Sequence, residues 1–339
     1  MIIDFVIPWV DGEDKEWRRK RDICINKDRA GIDKDDKRYR DWGLLKYWFR
    51  GVEKFSPWVN KIYFICDNQI PPWLNTEHSK LVIVDHIDFI PKEYLPTYNA
   101  NPIELNMHRI KGLSEYFVYF NDDMFLTAPC NETDFFQNNL PCDLFVETPI
   151  WFPRDEVYNH IMVNDMALIN TRFNRRSVLS EEKKKIYGCT NVSKLFQNIY
   201  MSIIKRPAFA GLECTHLCQP FLKSVFELVW HENYEWLDAT SRNRFRSVTD
   251  VNQYVFKFYQ LVLGRFTPYN WKKYGRAFQL ADEEGKNGAN IVEAYDAVIN
   301  GKYKMICLND AEVNNFDSVK MKLMSAFETL LPEKSVFEK

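Results

Sequence analysis

The chain has 339 residues, 46% of them hydrophobic, and a formal charge of −2. That size and apolar fraction supply a core for one large domain or two smaller ones and exclude a disordered chain. The near-neutral balance excludes the strongly basic face that a nucleic-acid partner requires, and no run approaches the ~20 apolar residues of a membrane span.

In chain order, Ile2–Ile7 reads as a short apolar strand. The segment from Ile2 to Val10 is too short and wrongly flanked for a signal peptide, so a cytoplasmic location is expected. The stretch Glu13 to Asp41 is dense in charge and reads as a solvated loop or lid. Trp42 to Phe55 has helical spacing. Two more apolar strands follow, Lys61–Cys66 and Leu81–Val84. Ile103–Ile110 reads as a helix closed by Gly112, and Tyr116–Phe120 as the fourth strand. Residues from about 175 to 300 read as mainly helical, with amphipathic segments at Lys194–Ile204 and Val251–Leu263. Lys304–Leu308 is the fifth strand. Strand and helix alternate, which predicts an α/β fold, mostly parallel and Rossmann-like, with a helical insertion or cap. One catalytic domain is expected over 1–339. Its α/β part covers 1–170, its mainly helical part 175–300, and a returning strand and C-terminal helix 301–339.

The eight cysteines show no framework spacing, so free thiols in a reducing compartment are expected. Cys214-Thr215-His216-Leu217-Cys218 has the look of a zinc site, but no second ligand pair follows at the usual spacing.

All five strands run into acidic or amide residues at their C-terminal ends. These are Asp11-Gly12, Asp67-Asn68, Asp85-His86, Asn121-Asp122-Asp123 and Asn309-Asp310. In open α/β sheets the ligand crevice lies at that edge. Any one of these residues is ordinary as a turn former or helix cap. Five together point to a polar cleft, and crowded carboxylates suit Mg²⁺ or Mn²⁺ with substrate phosphates completing the shell. Glu104 and His108 are four apart on one helix, and His108-Arg109 has the chemistry to meet phosphate oxygens. Arg242, Arg244 and Arg246 alternate, as either a solvated face or a phosphate clamp.

The residues resemble the Stealth family of sugar-1-phosphate transferases of bacterial capsule synthesis. The likeness is carried by four blocks. The first is Ile3–Gly12 with Asp14 and Trp17. The second runs from Arg40-Asp41-Trp42 through Lys54–Tyr63, Pro72–Asn75, Leu95–Asn99 and His108–Ile110 to Tyr119–Phe125. The third runs from Thr215-His216 to Arg244–Ser247. The fourth is Ile306–Asp310 with Phe327, Pro332 and Phe337-Glu338.

The resemblance implies a glycosyltransferase-A-like sheet. It implies a UDP-sugar donor, most commonly UDP-N-acetylglucosamine, and an oligosaccharide or lipid-linked glycan acceptor. The bond between the two phosphates breaks, UMP leaves, and a phosphodiester links the sugars. It implies Asp123 as the catalytic base, with His216 as second candidate and Arg246 as phosphate clamp. Mg²⁺ is placed near Asp122 and Asp310. Asp11, Gly12 and Asp67 are expected at the nucleotide, and Asn99, Asn101, His108, Arg109 and Asn121 at the sugar or phosphates. An ordinary metal-dependent glycosyltransferase, a hydrolase and a carbohydrate-binding module are the competing readings. Peripheral contact with the inner face of a membrane through Lys194–Lys205 is a further expectation, although such a helix more often packs inward.

Overall fold

A computed structural model describes residues 1–27, 39–151, 156–188, 191–282 and 288–339. The central sheet holds four parallel strands: β1 (Ile3–Pro8), β2 (Ile62–Cys66), β3 (Leu81–Asp85) and β4 (Tyr116–Tyr119). They lie in the order β3-β2-β1-β4. Phe5, Val6 and Ile7 are fully buried, as a strand covered on both faces requires. Helix Leu45–Phe55 is the crossover between β1 and β2, and buries eight of its eleven residues. Helix Ala100–Asn106 leads from β3 to β4. It stops earlier than its spacing predicts. A 3₁₀ turn carries the chain to Arg109, and Gly112 takes the left-handed conformation there, with φ +84°.

Seven strands complete the fold: β5 (Met124–Leu126), β6 (Phe136–Gln137), β7 (Leu140–Asp143), β8 (Gln219–Leu222), β9 (Thr267–Pro268), β10 (Gly275–Ala281) and β11 (Met305–Glu312). The predicted fifth strand is β11, but it does not join the central sheet. β8 takes that place, antiparallel to β4. β11 instead pairs parallel with β10 and antiparallel with β5 in a second sheet. The reason is local. The Asn121–Asp123 turn sends the chain out of β4 straight into β5, and the β11 backbone pairs with it: the Leu308 N–H donates to the Asp123 carbonyl at 2.8 Å. So the end of β11 still meets the end of β4, from a different sheet. The region from 175 to 300 is mainly helical and also supplies β8, β9 and β10.

The stretch Glu13 to Asp41, expected as a loop or lid, contains helix Lys15–Lys27; residues 28–38 lie outside the described residues. Trp17 and Cys24 of this helix pack against Tyr98 and Phe245, whose rings stack at 5.5 Å. The helix thereby ties the first strand's loop to the arginine-rich segment.

Candidate active site

The edge at the C-terminal end of β4 carries the densest chemistry. Asp122 has an open face to solvent although protein surrounds it, as on the floor of a cleft. Burial, then the Asp123 and Asp41 carboxylates, push its carboxyl up to about 7. The open face tempers that push.

Asp123 sits against β11. The Cys307 thiol donates to its Oδ2 at 3.2 Å, and His216 Nε2 lies 3.8 Å from the same oxygen. The other oxygen, Oδ1, is buried without a hydrogen-bond partner among the described residues. Burial and the Asp123 charge hold the Cys307 thiol far above its usual range, so it stays protonated and acts as a donor. His216 has φ +42°, a left-handed backbone rarely adopted by non-glycine residues. Such a conformation costs on the order of 1–3 kcal/mol and persists where its surroundings fix it. It aims the imidazole at Asp123.

A buried polar chain leads from this pair into the protein. The Tyr119 hydroxyl contacts both Glu104 Oε1, at 2.8 Å, and Asn121 Oδ1. Glu104 is 5% exposed. Burial raises its carboxyl to about 7, partly offset by the Tyr119 hydrogen bond and the charge of Arg246. Arg246 is half-buried, and its guanidinium has no hydrogen bond to any other described residue; the same holds for the Arg244 guanidinium, although the Arg244 carbonyl accepts the Tyr98 N–H at 2.8 Å. Arg242 differs, since its exposed guanidinium forks onto Asp238 at 2.8 and 3.0 Å. The structure thus divides the arginine run into one solvated residue and two available ones.

The predicted residues fall into groups. Asp122, Asp123, Asn121 and His216 come together, and Arg246 reaches the same chain through Glu104. Asp310 faces Arg40 at 3.5 Å. Asp67 and Asp11 stand at the ends of their strands, and Asp11 exchanges backbone hydrogen bonds with the Gln69 side chain at 3.0 Å. Gly12 is required by the protein itself: a Cβ there would lie 2.0 Å from the Tyr39 carbonyl.

Asn99 and Asn101 are engaged inside the protein. Each donates its side-chain amide to Asp250 Oδ2, at 2.8 and 2.9 Å. Asn99 Oδ1 also accepts the Asn101 N–H, capping the helix that starts there. The two residues hold the segment carrying Arg244 and Arg246 rather than facing the cleft.

His108 and Arg109 lie at the wrong end. The helix runs antiparallel to the strands, so its C-terminus points to the start of β4. There His108 packs on Phe226 and Trp230, and burial drives its pKa down to about 3. Arg109 stacks on Trp230 at 4.8 Å.

Sequence reasoning missed Tyr119, Asp250 and the roles of Glu104 and Cys307. Tyr119 and Cys307 read as strand interior. Their signal was proximity to Asn121 and to the end of the last strand.

Conserved region 1 of Stealth proteins matches residues 1–29, and conserved region 2 matches residues 38–143. A receptor polysaccharide phosphotransferase, WefC of Streptococcus gordonii, is 41% identical over 99% of this chain and 98% of its own length. The chain belongs to the Stealth family. Two further relatives agree. The capsular polysaccharide phosphotransferase WcwK of Streptococcus pneumoniae is 39% identical over 99% of both chains. The exopolysaccharide phosphotransferase cps2G of Lactiplantibacillus plantarum is 38% identical over 99% of this chain and 96% of its own. This Stealth chain is therefore a sugar phosphotransferase of surface-polysaccharide synthesis, and the acidic edge at β4 lies within conserved region 2.

Proposed function

We propose that this enzyme transfers hexose-1-phosphate, with N-acetylglucosamine-1-phosphate the leading candidate, from a UDP-sugar to a carbohydrate hydroxyl, releasing UMP. The observation that carries the reading is the Tyr119 bridge. It joins the acidic turn to Glu104, beside which Arg246 stands without a hydrogen-bond or ion-pair partner among the described residues. A base for a hydroxyl and a free cation for phosphate then share one edge.

In this reading Asp123 takes the acceptor's proton as the hydroxyl oxygen attacks the β-phosphorus. The Cys307 thiol holds Oδ2, with His216 Nε2 3.8 Å away, which orients the carboxylate; Oδ1 has no hydrogen-bond partner among the described residues. The bond from that phosphorus to the oxygen bridging the α-phosphorus breaks, and UMP departs. Arg246, with Arg244 beside it in sequence, meets the charge on the phosphoryl oxygens, where a planar guanidinium forks onto two of them.

A divalent cation fits the donor set. Asp122 is crowded by Asp123 and Asp41, a gathering of negative charge that a cation relieves. Asp122 would hold Mg²⁺ or Mn²⁺, which would supply charge neutralisation at the diphosphate, while Asp123 remains the base. Asp310 is a weaker choice, since Arg40 already faces it.

Product analysis tests this reading. With UDP-N-acetylglucosamine, Mg²⁺ and an oligosaccharide acceptor, UMP should appear only when acceptor is present, and Asp123→Asn should abolish it. UDP as the nucleotide product would refute phosphoryl transfer.

A further inference from the structure

Helix Val192–Ser202 leaves one face of the molecule apolar. Val192, Phe196, Tyr200 and Ile203 are between 65% and 70% exposed, and Ile199 is 44% exposed. Their spacing of three and four residues puts them on a single stripe. The opposite stripe is fixed to the body. Asn198 and Met201 are buried, Asn198 donates to the Phe145 carbonyl at 2.8 Å, and the Arg175 guanidinium donates to the Met201 and Ile204 carbonyls at 2.7 and 2.8 Å. The helix is thus held rigidly with its large side chains outward, the reverse of ordinary packing.

Charge says what covers it. Between Arg176 and Arg206 the chain has seven Lys and Arg against two Glu, although the whole protein is slightly acidic. Lys205, Arg206 and Arg176 are exposed at the end of the stripe, and Arg176 Nη2 donates to the Lys205 carbonyl at 2.9 Å. Lys183 and Lys184 are exposed as well. An aromatic and aliphatic stripe flanked by cations is the signature of a helix lying in the plane of an anionic bilayer. No helix among the described residues is long and apolar enough to cross a membrane, so such contact would be interfacial.

We infer that this face docks on an anionic membrane surface, with Phe196, Tyr200 and Ile203 in the headgroup–acyl boundary and Lys205 and Arg206 on the lipid phosphates. The inference stands independently of the donor and of the bond broken. The placement also bears on the active site. Lys194 of the same helix pairs with Glu213 at 3.0 Å, three residues before His216. A membrane-held helix would therefore present the His216 loop to acceptors carried at that surface.

Vesicle co-sedimentation tests it, with the full chain and vesicles of phosphatidylcholine alone or mixed with phosphatidylglycerol. The wild type should sediment with the anionic vesicles and be released by high salt. The triple variant Phe196→Ser, Tyr200→Ser, Ile203→Ser should bind about 10-fold less, and Lys205→Glu with Arg206→Glu should lose the salt-sensitive part. Unchanged thermal midpoints and unchanged turnover of a soluble acceptor would show that neither variant is misfolded. A wild type that ignores anionic vesicles, or a triple variant that binds like it, overturns the inference. So does a wild-type dimer in light scattering that the triple variant abolishes, since a second copy would then cover the face.

Discussion

Asp250 organises the arginine segment, and its substitution should disable the enzyme out of proportion to the stability it removes. The carboxylate is fully buried and accepts four hydrogen bonds. Asn99 and Asn101 give their amides to Oδ2 at 2.8 and 2.9 Å, the Ser247 N–H reaches Oδ2 at 3.1 Å, and the Asn243 amide reaches Oδ1 at 2.7 Å. Asp250→Asn keeps the shape but turns one oxygen into a donor. One of the four donors then faces an N–H group, at about 1–3 kcal/mol, and the other three lose charge assistance, at roughly 1 kcal/mol each. Relief of carboxylate burial, which raises the Asp250 pKa, offsets part of this. A net loss of about 3 kcal/mol remains. With an unfolding entropy of roughly 2 cal/mol/K per residue, that lowers Tm by about 4 °C. The comparison variant is Val298→Ala, a buried truncation of about 2 kcal/mol in helix Gly288–Ile299, which packs on β10 and on helix Phe316–Leu330. Thermal unfolding and UMP release are measured at a temperature where both variants are folded. Asp250→Asn should lose ~10–100-fold in kcat/KM, because Arg244 and Arg246 ride on the loosened segment. Equal activity losses in the two variants would refute a positioning role for Asp250.

Other outcomes follow from the same geometry. Arg246→Lys should lower kcat by ~10²-fold, because an ammonium cannot fork onto two phosphate oxygens; a loss confined to KM would count against a role in the transition state. Glu104 titrates near 7 when folded and near 4.5 in the ordinary carboxyl range, so the folded state binds the extra proton between those values. Stability should therefore fall as pH rises from about 4.5 to 7 and level off above, and Glu104→Gln should flatten that slope by up to about 3 kcal/mol; denaturant midpoints across pH decide it. Protons compete with a cation at Asp122, whose carboxyl is raised to about 7. The Mg²⁺ concentration that half-saturates a calorimetric titration should therefore climb as pH drops below neutrality, and Asp122→Asn should remove the pH dependence.

Much of the scaffold is legible from local pattern. Strands β1 to β4 and helix Leu45–Phe55 announce themselves, because a strand buried on both faces is a continuous apolar run and a crossover helix repeats its apolar residues. The strand order also brings the acidic ends to one edge, as expected of a parallel sheet. Three features escape that logic. β8 looks like loop, because Gln219-Pro220 breaks any alternation, yet it pairs with β4 as an edge strand. β11 has the composition of a fifth parallel strand and joins another sheet, since pairing partners are chosen by tertiary context. Asn99 and Asn101 carry the chemistry of ligand contacts, but their partner Asp250 lies about 150 positions later in the chain. No local pattern reveals a hydrogen bond over that separation.

The charges explain why the cleft is built from separate parts. Acids gather at the β4 turn, where Asp122 lies against Asp123 and Asp41, and the two arginines without a side-chain hydrogen bond among the described residues stand on the segment held by Asp250. If the two sets neutralised each other by contact, a diphosphate would have to break those ion pairs before binding. Glu104 sets the distance. It is buried and tied to Tyr119, its carboxyl is half-protonated near neutral pH, and it meets Arg246 only as a through-space charge. A carboxylate of ordinary pKa in direct contact would hold Arg246 as Asp238 holds Arg242. By being hard to ionise, Glu104 would leave the guanidinium's charge for the phosphates of the proposed donor. The acids, kept apart in the same way, would retain theirs for the proposed cation and for the acceptor's proton.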